Sequence, residues 1–279
     1  MVREQEYQGL RILVDVRDTS TSESTVRLAA SVVRSTGGIV TLIMIIPHEQ
    51  KRAQANATLE RYAAIIAPNP VEICIRTGHP TEEIAKEASS GDYDLAIIGE
   101  RPDNLLLKHL FTRAAERTIQ AITCPVLIAS SHHGPMKRLL VCEGGRSTRL
   151  LPELAGRLAP LTRSADEVMI LHVMSQITAS PGIAGWELRA KAEELIDHHT
   201  PEGEQLSYDL GIIHHLEVDV SVKVRHGLVV EEILAEAEAG DFDVIVVGMP
   251  QVSGWQRFLV DDPVHKVILH SNKPVLTIA

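Results

Sequence analysis

The chain has 279 residues, a length that fits two domains of about 130–150 residues better than one. Its composition is 44% hydrophobic but only 3% aromatic, so we expect cores built from aliphatic side chains. The formal net charge of −10 argues against a nucleic acid or an anionic membrane surface as a partner.

Three further sequence features bear on the location of the protein and on its cysteine chemistry. The start, "MVREQEYQGLRILV", has no apolar segment of signal-peptide length. The longest apolar run, near "IVTLIMIIP", is too short to span a bilayer. Cys74, Cys124 and Cys142 are far apart and form no CxxC pair, which excludes a disulfide framework or zinc-finger spacing. We therefore expect a cytoplasmic protein.

Apolar runs and helical patterns alternate along both halves of the chain. In the first half, the predicted strands and helices, in chain order, are 11–16, 22–36, 39–46, 49–66, 71–75, a helix with "EEI" near its start, "DLAIIG", 112–121 and "CPVLIAS". In the second half they are 138–142, 147–160, 167–174, 184–198, 218–224, a second "EEI" helix, "DVIVVG", 261–271 and "KPVLTIA". This alternation predicts a doubly wound parallel sheet in each half. The continuous runs "DLAIIG" and "DVIVVG" predict strands that are buried on both faces.

The two halves are copies of one domain. Residues 76–99 align with 225–248 without a gap, and 11 of the 24 positions are identical. A repeat of this length is a whole domain, too long for a solenoid unit. We assign the domains to residues 1–130 and 137–279, joined by a linker near "SSHHGPM", with an insertion at about 197–216 in the second.

The segments "TEEIAKEASSGDYDLAIIG", its repeat, and "AAERTIQAITCPVLIA" resemble the universal stress protein family in its tandem two-domain form. The resemblance covers essentially the whole chain. It implies two Rossmann-like α/β domains, each a five-stranded parallel sheet of order 3-2-1-4-5 flanked by helices. It also implies a stress-response role and pairing of the final strands of two domains.

Many members of that family bind ATP through a G-x2-G-x9-G-[ST] signature between the fourth strand and the last helix. Glycine N–H groups and a helix N-terminus hold phosphate there. In the first half Gly99 is kept, but Pro102, Thr112 and Arg113 stand at the other three positions. Proline has no N–H to offer and cannot adopt positive φ.

In the second half Gly248 is kept, while Gln251, Asp261 and Asp262 replace the rest of the signature, so two carboxylates stand where phosphates would lie. The acidic residue that meets the nucleoside in ATP-binding members corresponds here to Arg17 and Gly144. We expect no cofactor in the standard mode, and ATP or another adenine nucleotide, if anywhere, in the first half. Gly99 and Gly248 then have a structural explanation as tight exits from a strand.

Three other groups of residues are candidate sites. Arg17, Arg101, Lys108 and Arg113 belong to loops of the first half and could hold an anion, or they are solvated arginines paired with nearby aspartates. Gly144 and Gly145 in "CEGGRST" resemble half of a pyrophosphatase loop, or form an ordinary Gly-Gly turn into a helix.

The third group is His198, His199, His214 and His215 in the insertion, with neighbouring carboxylates. Imidazole and carboxylate suit zinc or nickel, but adjacent histidines rarely point at one ion, so we interpret this stretch as an exposed polar loop and expect no metal. His172 lies inside a strand pattern and is expected to be a packed or strand-end histidine. No nucleophile constellation is visible.

These observations favour a regulatory or protective protein that turns over no substrate. One alternative is a nucleotide- or anion-binding sensor, or slow ATPase, that uses the first half. The other is an enzyme of a related α/β family that uses the loop at Gly144 and Gly145. We further expect residues 126–129 to pair with 275–278, because exposed apolar strand edges invite pairing, with further homodimerisation left open.

Overall fold

The computed structural model describes residues 9–17, 22–99, 121–130, 134–144, 149–175, 186–249 and 263–278. The chain divides into two compact units, Met1–Pro135 and Met136–Ala279. Arg101, Pro102, Lys108, Thr112, Arg113, Gly145, Gln251, Asp261 and Asp262 lie outside the described residues.

The first unit contains a parallel sheet of five described strands in the order β3-β2-β1-β4-β5. A single 3-10 turn, Glu49–Lys51, leads into its second helix. The elements are β1 (Leu10–Asp15), α1 (Ser22–Thr36), β2 (Gly38–Ile46), α2 (Arg52–Ile66), β3 (Val71–Thr77), α3 (Pro80–Ser90), β4 (Leu95–Ile98) and β5 (Val126–Ile128).

The second unit repeats this plan with the strand order β8-β7-β6-β9-β10. Its 3-10 turns are Glu187–Arg189 and His214–Leu216. The elements are β6 (Arg138–Glu143), α4 (Leu150–Ala155), α5 (Ala159–Ser164), β7 (Glu167–Met174), α6 (Ala192–Asp197), α7 (Pro201–Ile213), β8 (Asp219–His226), α8 (Val229–Ala239), β9 (Val244–Gly248), α9 (Pro263–His270) and β10 (Val275–Ile278). Each unit thus has the predicted order 3-2-1-4-5, and the expectation of an α/β fold is confirmed.

Central strands are buried on both faces, as their continuous apolar sequences predict. All four residues of β4 are at most 4% exposed, and the first four residues of β9 at most 3%. Ile12 of β1 is opposite Val40 on one side and Leu95 on the other, which sets the register of the first sheet. The cores are therefore aliphatic layers, in agreement with the low aromatic content.

Glycine makes the turn from the third strand of each unit into the next helix. Gly78 has φ of +149° and Gly227 has φ of +154°, values that residues with a side chain rarely adopt. A Cβ on Gly78 would lie 3.0 Å from Cγ of Glu83, and one on Gly227 would lie 2.7 Å from Oε1 of Glu232. These two glycines are therefore retained for backbone geometry and close approach.

Two predictions about the helices of the second unit are wrong. The helix expected at 147–160 is two short helices, α4 and α5, because the first of them ends at Ala155 with Gly156 as its C-cap. The stretch interpreted as an exposed polar loop is mostly helix α7. Its start is specified locally: Thr200 Oγ1 accepts a hydrogen bond from Gly203 N at 3.0 Å, and Pro201 occupies the first turn.

Candidate functional site

A cavity of about 460 Å³ opens at the carboxyl ends of β1 and β2 in the first unit. Helix α2 and the start of α3 form its other walls. In doubly wound sheets ligands bind beyond the carboxyl ends of the strands, so this is the expected end of the unit for a site. The lining residues are 15–17, 44–47, Lys51, Gln54, Ala55 and 79–81.

Asp15 and Arg17 form an ion pair at the edge of this cavity. Asp15 ends β1 and is only 4% exposed. Its Oδ2 accepts hydrogen bonds from Nε of Arg17 at 3.2 Å and from Nη2 at 3.1 Å. Burial raises the pKa of the Asp15 carboxyl, and the neighbouring guanidinium offsets part of that increase. The Arg17 backbone N–H donates to Ser22 Oγ at 2.9 Å, which joins this residue to the first residue of α1.

The guanidinium of Arg17 is consequently held in place while about half of it stays accessible, with 48% of the side chain exposed. A fixed, half-exposed guanidinium is suited to binding a carboxylate or a phosphate. Of the first-half site residues predicted from the sequence, Arg17 and Gly99 are described, and Arg101, Thr112 and Arg113 are not.

Gly99 follows the last residue of β4 and is not explained as a tight turn. Its φ lies outside the positive range in which glycine is favoured, and an added Cβ would be 3.6 Å from Thr25 Oγ1, an ordinary contact. Gly248 is the last residue of strand β9, where it pairs with Ile278. The surroundings of Gly99 therefore do not demand glycine, because a Cβ would fit there, whereas the interpretation of Gly248 as a strand exit stays a prediction.

Thr25 presents an unpaired hydroxyl beside Gly99. The residue is fully buried in the first turn of α1, and its Oγ1 has no hydrogen-bond partner among the residues that the structure describes. Buried polar atoms without a partner are rare and often mark a function. A polar atom arriving at the carboxyl end of β4 would satisfy this hydroxyl.

At the carboxyl end of β6, the corresponding end of the second unit's sheet, the residues make different contacts. Gly144 follows β6, and a Cβ there would meet nothing within 4 Å, so its surroundings do not demand glycine. Glu143 is 5% exposed, and its carbonyl oxygen lies 3.2 Å from Nδ1 of His172. Burial lowers the pKa of His172. His172 is thus a strand histidine held by a backbone group, as its sequence pattern predicts.

The histidines of the insertion are separated by a helix. His198 and His199 follow α6, whereas His214 and His215 follow α7, whose 13 residues span about 20 Å. Among the residues that the structure describes, no group of three or more histidine, cysteine, aspartate or glutamate side chains could hold a metal ion.

Several identities shared by the two halves have structural roles. Asp94 Oδ2 accepts a hydrogen bond from Arg11 N at 2.9 Å, and Asp243 Oδ2 accepts one from Arg138 N at the same distance. These aspartates tie the fourth strand of each unit to its first strand. The matched glycines, Gly91 and Gly240, leave room for the rings of Tyr93 and Phe242, which a Cβ would overlap.

Sequence analysis missed part of the cavity wall. Lys51, Gln54, His79 and Thr81 line the cavity, and none of them belongs to a motif. Their position in the chain is the signal that could have found them: they lie in the segments that follow β2 and β3, at the ligand-binding end of the sheet.

Known proteins resemble this chain in both sequence and fold. The model of the universal stress protein family matches residues 43–130 and 136–279. A universal stress protein from Archaeoglobus fulgidus DSM 4304 is 17% identical, with a TM-score of 0.71, over 97% of this chain and 96% of that one. A putative universal stress protein from Pseudomonas aeruginosa UCBPP-PA14 is also 17% identical, with a TM-score of 0.68, over 97% and 93%.

A shorter universal stress protein from Archaeoglobus fulgidus, solved in complex with dAMP, is 21% identical over 43% of this chain and 98% of that one, with a TM-score of 0.37. No curated protein matches the chain significantly. Within the described residues, no helix is both long and apolar enough to cross a membrane. With family matches in both units and the tandem fold in place, the chain belongs to the universal stress protein family.

Proposed function

We propose that this universal stress protein has a regulatory or protective role, turns over no substrate, and senses a small anionic ligand in its first unit. The observation that carries the proposal is the cavity of about 460 Å³ beside the Asp15–Arg17 pair. Ligand pockets in proteins are commonly about 300–1,000 Å³, so the volume suits a small molecule.

The charge around the cavity favours an anion. Lys51 joins Arg17 in the wall, the imidazole of His79 can donate a hydrogen bond, and the N-terminus of α3 contributes the positive end of its helix dipole at Thr81. Among the lining residues that the structure describes, Asp15 is the one carboxylate, and it is already paired with Arg17. A carboxylate or phosphate ligand therefore meets more positive than negative charge.

ATP in the family's standard mode does not suit this chain. The signature positions hold Pro102, Thr112 and Arg113 in the first half and Gln251, Asp261 and Asp262 in the second. Pro102 removes a backbone N–H from the loop, the other replacements remove the conformational freedom of glycine, and in the second half two carboxylates add negative charge against phosphate. We therefore favour a sensor that does not bind or hydrolyse a nucleoside triphosphate.

A second candidate function is an adenine-nucleotide sensor or slow ATPase that uses the first unit. The unpaired, buried Thr25 hydroxyl beside Gly99 favours it, because this hydroxyl lies at the strand end where a nucleotide phosphate would be held. The two candidates differ in the extent of the ligand: in the first it occupies the cavity at β1 and β2, and in the second it also reaches Thr25 at the end of β4.

Calorimetric titration of the full chain with inorganic phosphate, pyrophosphate, AMP and Mg²⁺–ATP tests both candidates. We expect a phosphate-containing ligand without a triphosphate to bind, and Lys51→Gln and His79→Gln each to weaken it several-fold. Lys86→Gln, an exposed lysine of α3 that pairs with Glu83 and lies outside the cavity lining, is the matched control. Micromolar Mg²⁺–ATP binding would favour the second candidate. Failure of all four anions to bind would refute both.

A further inference from the structure

We propose that a second copy of the chain docks on the first through strand β3, in an antiparallel pairing with its twofold axis at Cys74. Among the described strands, β3 lies at the end of the first unit's sheet, next to β2. One side of its backbone therefore faces no described strand. An edge strand that carries apolar side chains is a template for pairing with another chain.

The backbone directions of β3 follow from its neighbours. Val40 N donates to Pro70 O at 3.1 Å, and Gly78 N donates to Ile46 O at 3.3 Å, so even-numbered residues turn their polar groups towards β2. Odd-numbered residues accordingly turn theirs to the open side. Arg52 Nη1 donates to the Ile75 carbonyl at 3.4 Å, which agrees with this assignment. The open side thus presents the N–H and C=O groups of every second residue from Val71 to Thr77, and on pairing the Ile75 carbonyl would exchange Arg52 for an N–H of the copy.

The sequence of β3 is complementary to itself in one register. When two copies run antiparallel about an axis at Cys74, all seven residues of β3 are opposite a residue of the copy. Val71 is then opposite Thr77, and Ile73 is opposite Ile75, so the outward backbone groups meet each other. Glu72 is opposite Arg76, whose guanidinium is already paired with Glu87 of its own unit, so the charges are compatible but the apolar pairs carry the complementarity. Apolar pairs across strands stabilise a sheet.

The face that carries the isoleucines has room for a partner. Ile73 is 39% exposed, an unusual value for a large aliphatic side chain in this fold. Together with Ile75 and the α2 residues Ala53 and Asn56 it lines an open groove of about 640 Å³. The isoleucines of the copy would lie across this groove and remove the exposed apolar surface from water.

Comparison with strand β8 of the second unit explains why we assign self-pairing to the first unit. Strand β8 ends its own sheet among the described strands, but Lys223 stands at the position that Cys74 occupies in β3. The same register would place Lys223 opposite its own copy. Like charges directly opposite destabilise a strand pair, and edge lysines are a common protection against association. The edge of β8 is therefore protected against self-pairing, and the edge of β3 is not.

Cysteine cross-linking tests this register directly. In the pairing, Cys74 and its copy form a non-hydrogen-bonded pair with Cα atoms about 4.5 Å apart, within the range that a disulfide spans. Diamide accepts the two electrons and two protons that the two thiols lose as the S–S bond forms. Cys124 and Cys142 are buried, whereas Cys74 is partly accessible. We expect a covalent dimer on non-reducing gels from the wild type and none from Cys74→Ser.

Sedimentation equilibrium on the reduced protein provides the second measurement. We expect a dimer for the wild type and for Cys74→Ser, and a dissociation constant raised at least tenfold by Cys74→Lys, which introduces the second unit's residue. Ile73→Lys should act in the same way, and because Ile73 is partly exposed this variant decides the matter if Cys74→Lys fails to fold. A protein that stays monomeric would overturn the proposal. The proposal would also be overturned if both lysine variants remained dimeric and the wild type formed no Cys74 cross-link.

Discussion

Arg225 Nε lies 2.7 Å from a carboxylate oxygen of Glu236, whose side chain is 2% exposed. Lys223 Nζ lies 2.8 Å from the same oxygen, so the buried charge has two cationic partners. The first unit keeps the arrangement as Arg76 with Glu87, but replaces the lysine with Cys74 and adds Tyr93, whose hydroxyl donates to Glu87 at 2.9 Å. Burial is the main cause that raises the pKa of Tyr93 to about 12, so this hydroxyl keeps its proton.

Arg225→Met should destabilise the second unit by about 1–3 kcal/mol, because the buried Glu236 carboxylate keeps Lys223 but loses Arg225 as a partner. Arg225→Met with Glu236→Leu should recover part of that loss, since the buried carboxylate is then gone and the charge that stays behind, on Lys223, is 44% exposed. Urea denaturation of the full chain measures the difference. Arg27→Met is the matched control, because Arg27 pairs with Glu23 on an exposed surface and should contribute about 0.5 kcal/mol or less. Equal stabilities of the single and double variants would contradict the assignment.

Gly91→Ala and Gly240→Ala should each cost about 1–3 kcal/mol, because the added methyl overlaps the ring of Tyr93 or Phe242 in a packed region. Gly99→Ala should change stability by less than about 0.5 kcal/mol, since its Cβ makes only an ordinary contact. Thermal unfolding of the three variants provides the comparison. A Gly99→Ala variant as unstable as the other two would restore a structural role for Gly99.

Asp209 should make the second unit less stable as pH rises. Its side chain is 2% exposed, Oδ1 accepts one hydrogen bond from Gln205 at 2.9 Å, and within the described part of the chain Oδ2 has no partner. Burial raises the pKa of this carboxyl above its usual 3.8. Between that value and the raised folded-state pKa, the native protein holds more protons than the unfolded chain, so stability falls with increasing pH and the loss is complete above the folded-state pKa.

Asp209→Asn should remove this pH dependence and stabilise the protein at neutral pH by an amount on the order of 1 kcal/mol. The free energy of unfolding of both proteins, measured from pH 4 to pH 8, checks the sign. Glu193→Gln, on the exposed surface of α6, serves as the control for removal of one negative charge. A larger advantage of the asparagine variant at pH 4 than at pH 8 would reverse the argument.

Nucleotide or anion binding should be confined to the first half. Two unit charges about 4 Å apart interact by about 4 kcal/mol at an effective dielectric constant near 20, so Asp261 and Asp262 should repel a triphosphate strongly. We expect Arg113→Glu to abolish any binding of a fluorescent ATP analogue by the full chain. We expect Asp261→Gly with Asp262→Ser to create no second site, because Gln251 and Gly144 remain. Two equivalents of analogue bound to that double variant would refute this account of the loops.

The final strands should pair with each other, residues 126–129 against 275–278. Each is short and apolar, and we predict that backbone hydrogen bonds join them. Hydrogen exchange should then show slow amides along both β5 and β10. Fast exchange along either strand would show a solvated edge and contradict the prediction.

Sequence periodicity was sufficient for most of the fold, because strands buried on both faces, such as β4 and β9, leave an unbroken apolar pattern. Periodicity fails at α7, where the polar composition predicts a loop although Thr200 and Pro201 mark a helix start. The candidate site was less accessible to prediction. Arg17 could be found from its position after β1, but the contribution of Lys51 and His79 depends on how β2, β3 and their helices pack, which no local pattern encodes.

The matched anchors Asp94 and Asp243 also bear on how the chain reaches its native state. Each aspartate accepts a hydrogen bond from the backbone amide near the start of the first strand in its own unit, and the bonds to Arg11 and Arg138 have the same length. A newly made chain therefore contains two similar sets of central strands. We expect them to compete during refolding, because strand exchange between halves is a characteristic failure of repeated domains. Synthesis from the N-terminus favours the correct outcome, because the first unit can close before its copy has left the ribosome.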